Sequence, residues 1–183
     1  MLEQEKNPRI SGFCIYFCGS ILISLFVMST ITTHQAYSVG SEQYSFVGKW
    51  GSKGVGHGMF SQASGITTDS NGNVYVGDLT GVSGKIQKFT SNGTFITSWG
   101  STGLSDGQFI NPSGIGVDSK GYVYVADYGE NNRIQKFDSN GNFITKWGST
   151  GTGDGQFINP ADVAIDKVNN VYVVDRGNDR VQK

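Results

Sequence analysis

The sequence predicts an all-β fold made from one four-stranded antiparallel unit repeated about three times, and three observations predict it. The first is a recurring block. Gly100-Ser101-Thr102-Gly103 returns as Gly148-Ser149-Thr150-Gly151, and Asp106-Gly107-Gln108-Phe109-Ile110-Asn111-Pro112 returns as Asp154-Gly155-Gln156-Phe157-Ile158-Asn159-Pro160. A weaker copy runs Gly51-Ser52-Lys53-Gly54 and then Gly58-Met59-Phe60. The second is constant spacing: Trp50 to Asp78, Trp99 to Asp127 and Trp147 to Asp175 each span 28 positions. The third is composition. Val-Tyr-Val at 74–76, 123–125 and 171–173 is β-branched and aromatic, as strands prefer, and turn-forming residues flank each copy.

The middle unit reads element by element. Ser113 to Val117 is the first strand, the turn Asp118-Ser119-Lys120-Gly121 follows, and Tyr122 to Ala126 is the second strand. A variable loop leads into Arg133 to Phe137, and the turn Asp138-Ser139-Asn140-Gly141 leads into Asn142 to Trp147. Asn-Gly favours a hairpin because both residues tolerate positive φ. In the third copy Asn169 stands where the others have Gly, and Asn is the next most tolerant residue there. Length changes only after the Asp that follows the Val-rich strand: Asp78 to Ile86 is 8, Asp127 to Ile134 is 7 and Asp175 to Val181 is 6. One loop therefore absorbs insertions while the strands keep register. Four antiparallel strands recurring at this period describe the blade of a β-propeller. Stacked blades bury both strand faces, which accounts for Val-Tyr-Val in place of polar alternation.

The run Phe109-x-x-Pro112-x-Gly114-Ile115, Val123-Tyr124-Val125-Ala126-Asp127, Asn132-Arg133-Ile134-Gln135-Lys136-Phe137, Gly141-x-Phe143 and Trp147-Gly148 resembles the NHL repeat. The resemblance covers Phe46 to Lys183 and implies blades of a six-bladed ring. It also implies that the Asp ending the second strand pairs with the cation opening the third and fixes the loop between blades. The matching pairs are Asp78 with Lys85, Asp127 with Arg133 and Asp175 with Arg180. The first copy departs from the pattern. Lys85 cannot make the two-pronged contact of an arginine, Ala63 stands at the Pro position, and Gly77 stands where Ala126 does. Phe46 to Trp50 reads as a lone fourth-type strand before two full blades and three further strands, twelve strands in all. Three blades leave sheet surface uncovered at both ends, so the ring needs either more chain or a second copy in a homodimer. The stop inside Ile-Gln-Lys-Phe favours more chain.

Ahead of the repeats, residues 12–31 carry no charge, and Lys6 and Arg9 precede them. Ala36-Tyr37-Ser38 suits cleavage after Ser38. Twenty uncharged residues also suffice to span a bilayer as one hydrophobic helix. Residues 1–38 are therefore expected to be a signal peptide or a signal-anchor transmembrane segment, with 39–183 holding the blades (repeats about 58–99, 107–147 and 155–183). Either form places the repeats outside the cytoplasm, secreted or at the cell surface, and implies N-terminal membrane association. Cys14 and Cys18 both lie in the apolar run, so the repeats contain no disulfide and no thiolate metal site.

A net charge of −1 gives no electrostatic reason to expect nucleic acid. Asp69-Ser70-Asn71-Gly72-Asn73 and Asp138-Ser139-Asn140-Gly141-Asn142 resemble the start of a calcium loop. Their Gly is misplaced and no Glu follows at position 12, so a hairpin turn is the expectation. Asp106 and Asp154 suggest a ring of carboxylates around one mouth, but the first copy has His57 there. The two histidines, His34 and His57, cannot supply a metal site or a Ser-His-Asp arrangement. Trp50, Trp99 and Trp147 recur once per unit and are expected to pack at blade edges.

These observations lead to the expectation of a non-enzymatic binding or scaffold module, without catalytic residues, metal or cofactor. Its ligand, a protein, peptide or glycan, is expected at the face where the variable loops Leu79 to Gly84, Tyr128 to Asn132 and Arg176 to Asp179 gather. Two other readings stay open: a fragment of a propeller lyase or lactonase whose metal ligands lie in other blades, and an RNA-binding propeller, which the charge disfavours.

Overall fold

Each blade is seeded by local turn chemistry. In the second blade the Asp118 amide donates to Tyr122 O at 3.0 Å and the Gly121 amide donates back to Asp118 O at 3.0 Å. The Asp118 carboxylate takes the amides of Lys120 and Tyr122 on one oxygen and the Tyr124 hydroxyl on the other, each at 2.9–3.0 Å. Asp69 and Asp166 repeat this pattern with Tyr75 and Tyr172. A short side chain that bonds the backbone two and four residues on fixes the hairpin before any tertiary contact forms.

The computed structural model describes residues 45–79 and 84–183. The expected signal segment or anchor, its helix and its cysteines lie outside the described residues. Strands β1 (Ala63–Thr68), β2 (Val74–Asp78), β3 (Lys85–Phe89) and β4 (Phe95–Trp99) form the first sheet. The second sheet holds β5 (Asn111–Val117), β6 (Val123–Tyr128), β7 (Arg133–Phe137) and β8 (Phe143–Trp147). The third holds β9 (Pro160–Ile165), β10 (Val171–Asp175) and β11 (Arg180–Gln182), with a 3-10 turn at Arg176–Asn178 before β11. Every neighbouring pair is antiparallel and sequential, so this is a partial β-propeller: two four-stranded blades and one of three strands.

The sequence reading of twelve strands is corrected to eleven among the described residues. Phe46–Trp50 forms no strand. A fourth strand exists because a third strand offers it donors and acceptors, as Ile134 does for Trp147. Residues 46–50 pair with no described strand, and Phe46 and Val47 are 81% and 95% exposed. The first strands also start earlier than their apolar core suggests. β5 begins at Asn111, not Ser113, because a bulge between Pro112 and Ile115 lets the connector join the ladder.

The first strands β1, β5 and β9 lie side by side at the centre. Ser64 Oγ donates to Pro112 O at 2.7 Å, and Ser113 Oγ donates to Pro160 O at 3.1 Å. A Cβ on Gly114 would stand 2.3 Å from Asp162 Cα, so glycine is what permits this approach of backbone to backbone.

Between the first two blades, Tyr75 and Ile86 pack with Phe109, Ile115, Val123, Val125 and Phe137. Between the second and third, Tyr124, Ala126 and Ile134 pack with Phe157, Val163 and Val173. β2 and β3 are buried along their whole length, whereas the outer strands β4 and β8 are half exposed. The tryptophans are packing residues. Gly141, at φ +89°, leaves room for the Trp99 indole, which a Cβ there would meet at 2.4 Å, and Gly93 does the same for Trp50.

Candidate functional site

At one end of the blades the second and third strands meet in a hairpin whose closing pairs are Asp78↔Lys85, Asp127↔Arg133 and Asp175↔Arg180. These are the pairs that the repeat resemblance singles out. Asp127 is fully buried. One of its oxygens accepts the amides of Ile110 and Asn111 at 2.9 and 3.2 Å. The other accepts Asn131 Nδ2 at 2.5 Å and Arg133 Nε at 3.4 Å. The guanidinium thus gives the carboxylate one prong only. Its terminal nitrogens donate to Leu104 O, Ser105 O and Gln108 O at 2.8–2.9 Å. Arg180 does likewise, from Asp175 at 2.8 Å to Thr152 O, Gly153 O and Gln156 O. Lys85 turns its ammonium to the equivalent carbonyls, Val55 O at 2.7 Å and Gly56 O at 3.2 Å. Asp78 accepts the amides of Ser61 and Gln62 at 3.0 and 2.8 Å.

A glutamine completes each clamp. Gln135 is fully buried; its carbonyl accepts the Gly107 amide at 2.9 Å and its amide donates to Gln108 O at 2.7 Å. Gln87 and Gln182 make the same two bonds to Gly58 and Met59 and to Gly155 and Gln156. Sequence reasoning missed this role, although Ile-Gln-Lys in an otherwise apolar strand was a signal: a buried amide must find partners. Together the Asp, Arg and Gln hold the connector that enters each blade.

Burial pushes the Asp127 carboxyl above its ordinary value, against the pull of Ile110, Asn111, Asn131 and Arg133. Burial acts the same way on Asp175, but bonds from Asn178, Ile158, Arg180 and Gln182 outweigh it and hold that carboxyl low. In the turns, the Asn142 and Asn170 side chains are the largest influence on Asp138 and Asp166 and lower both. Burial would raise Asp69, but Asn73, Tyr75 and Asn71 together lower it. Burial and the Asp118 carboxylate push the Tyr124 phenol up to about 12.

These directions fix the acid response. A carboxylate held below the ordinary 3.8 contributes stability that is present above that value and lost as pH falls through its folded pKa. Asp127 has the opposite sign, and its contribution declines as pH rises past 3.8. With four groups lowered and one raised, the thermal midpoint should fall as pH is taken from about 5 to about 2. The D138N variant should show a shallower fall, and a midpoint that stays flat across this range would contradict the assignment.

The calcium-loop resemblance resolves into these turns. The oxygens of Asp69 and Asp138 already accept two amides and an asparagine side chain each. Among the described residues no three of His, Cys, Asp and Glu come together as a metal site requires. Asp106 pairs with Lys146 at 2.5 Å on the surface, and His57 lies 3.5 Å from Ser98 Oγ.

A different set of residues converges on the axis at the variable-loop end. Leu79, Tyr128 and Arg176 each follow the clamp Asp of their blade, and all three line one cavity of about 310 Å³. Gln62, Asn111, Ser113 and Ala161, from the innermost strands and their entry residues, complete the lining. A larger concavity of about 790 Å³ lies on the uncovered face of the third blade, against Trp147, Val171 and Val173. In the second blade the equivalent space beside Trp99 holds the Phe137 ring, so this concavity is a feature of blade packing.

Comparison with known proteins agrees with the architecture. A family model described as a 6-bladed beta-propeller matches residues 117–182. No curated protein matches the chain. Among solved structures, the chain is similar to a structural genomics protein of unknown function from Bacteroides thetaiotaomicron VPI-5482, at 19% identity and a TM-score of 0.49 over 60% of this chain and 31% of that one. It is similar to a streptogramin B lyase, at 19% identity and a TM-score of 0.49 over 65% of this chain and 36% of that one. It is also similar to a gluconolactonase from Xanthomonas campestris, at 17% identity and a TM-score of 0.44 over 62% of this chain and 34% of that one. The chain spans about a third of the length of each of these. The expectation of a non-enzyme is corrected by this comparison, because propellers similar to the chain include enzymes. The periodic Asp residues mark a scaffold, and a scaffold says nothing about chemistry carried elsewhere on the fold.

Proposed function

We propose that the chain is part of an extracytoplasmic NHL-repeat propeller that binds a protein, peptide or glycan at the axial end of its variable loops. One observation supports the reading above others. The clamp positions carry nearly the same residue in every blade, whereas the position just after the clamp Asp carries Leu79, Tyr128 and Arg176. Three unlike side chains at one repeat position meet in one cavity. Repetition supplies the frame, and divergence supplies an asymmetric lining, which selective binding requires. The extracytoplasmic placement rests on the uncharged run at residues 12–31.

The test is binding of the full chain, in mild detergent, to glycan and peptide arrays, beside the Y128A variant. Tyr128 is half exposed at the cavity and its hydroxyl bonds to no described residue, so its loss should leave the fold intact and reduce binding at least about tenfold. Binding that Y128A leaves unchanged would remove this face from consideration.

A further inference from the structure

Resting on that reading, we infer that the cavity takes an acidic sugar, a hexuronate whose carboxylate meets Arg176. Hydrogen bonding separates the cavity from its surroundings. At this end of the blades Asp127, Asn131, Arg133, Gln135, Asn178 and Arg180 are all engaged with the connectors. Four of the five polar side chains that line the cavity are not. The amides of Gln62 and Asn111, the Tyr128 hydroxyl and the Arg176 guanidinium bond to no described residue. Ser113 Oγ uses its proton on carbonyls and keeps its acceptor lone pairs.

Charge then selects the ligand. Arg176 is the one charged residue in the lining, and it takes no part in the three ion pairs of the described residues. Its planar fork matches a carboxylate. A single cation among neutral groups suits one negative charge better than a phosphate, which draws on several donors or cations. Two free amides and two hydroxyls match the hydroxyls of a sugar ring. Leu79 and Tyr128 offer the apolar surface on which a ring's C–H face rests. About 310 Å³ has room for one monosaccharide and not for a folded partner. Asp78, Asp127 and Asp175 directly precede Leu79, Tyr128 and Arg176 but are buried, and Asp162, next to Ala161 on β9, is exposed; none of these carboxylates lines the cavity.

The experiment is ligand-observed NMR titration of the full chain in detergent micelles. The probes are glucuronate, glucose and a glucuronate-terminated oligosaccharide, on wild type, R176Q and Y128A. Glucuronate is expected to bind at least about tenfold more tightly than glucose, and R176Q should abolish that preference without changing the melting temperature. Added salt should weaken glucuronate more than glucose. Tighter binding of the oligosaccharide than of glucuronate would assign the site to a glycan end, and equal binding to the free acid; both support the inference. Equal affinity for glucose and glucuronate, or a preference that survives R176Q, would overturn it. Array binding lost in Y128A but unchanged in R176Q would overturn the acidic sugar while leaving the binding face in place. If neither variant affects any ligand, both readings fail.

Discussion

Replacing Asp127 by alanine should cost about 3–5 kcal/mol of stability, the range for breaking a buried charged pair on one side. The variant removes the acceptor for two amides, Asn131 and Arg133 together. Arg133, whose side chain is 7% exposed, is left buried without its carboxylate. The connector from Leu104 to Asn111 then loses its anchor at both ends, because the same guanidinium holds its carbonyls. Asp175→Ala supplies the comparison. Arg180 is 29% exposed, so water can replace part of what is lost, and the cost should be nearer about 1–3 kcal/mol. Urea unfolding of the full chain, followed by tryptophan fluorescence, measures both. An Asp127→Ala cost below about 1 kcal/mol, or one no larger than that of Asp175→Ala, would mean the clamp does not hold the blades as described.

Most of the frame was legible in the sequence because it rests on local or periodic causes. Arg133–Phe137 is legible to the residue, since its ends are set by a loop and an Asp-x-x-Gly turn. The packing role of the tryptophans is legible because a residue that recurs once per blade serves the blade, and Trp99 packs on Tyr75 and Phe137. The misses have non-local causes. Phe46–Trp50 has strand composition and no strand, because composition cannot supply a neighbour. The buried glutamines were invisible because their partners lie 26–29 positions away in the connectors. The loop face is legible from the length differences after each Asp. The cavity itself is not, because it joins Leu79, Tyr128 and Arg176 to Gln62 and Asn111 only when three first strands converge on the axis.

That convergence depends on the aromatic layer between blades, and Phe137→Ala should therefore cost about 3–5 kcal/mol, as large-to-small changes in tight cores do. Phe137 is fully buried, with its ring centroid 5.5 Å from Phe109 and 6.0 Å from both Trp99 and Phe143. Trp99 belongs to the first blade, Phe109 to the connector and Phe143 to the second blade, so one ring ties all three together. The change opens a void inside a closely packed cluster of side chains, and such packing collapses only partly around a void. Ile144→Ala, on the same blade but 45% exposed, should stay within about 0.5 kcal/mol. Urea unfolding again gives both values, and near-equal costs would show that the interblade layer is not what holds the blades. The change also reaches the cavity from a distance. Leu79 comes from the first blade and Tyr128 from the second. Loosening the layer between them should weaken ligand binding even though Phe137 does not line the cavity, whereas Ile144→Ala should leave binding as it was.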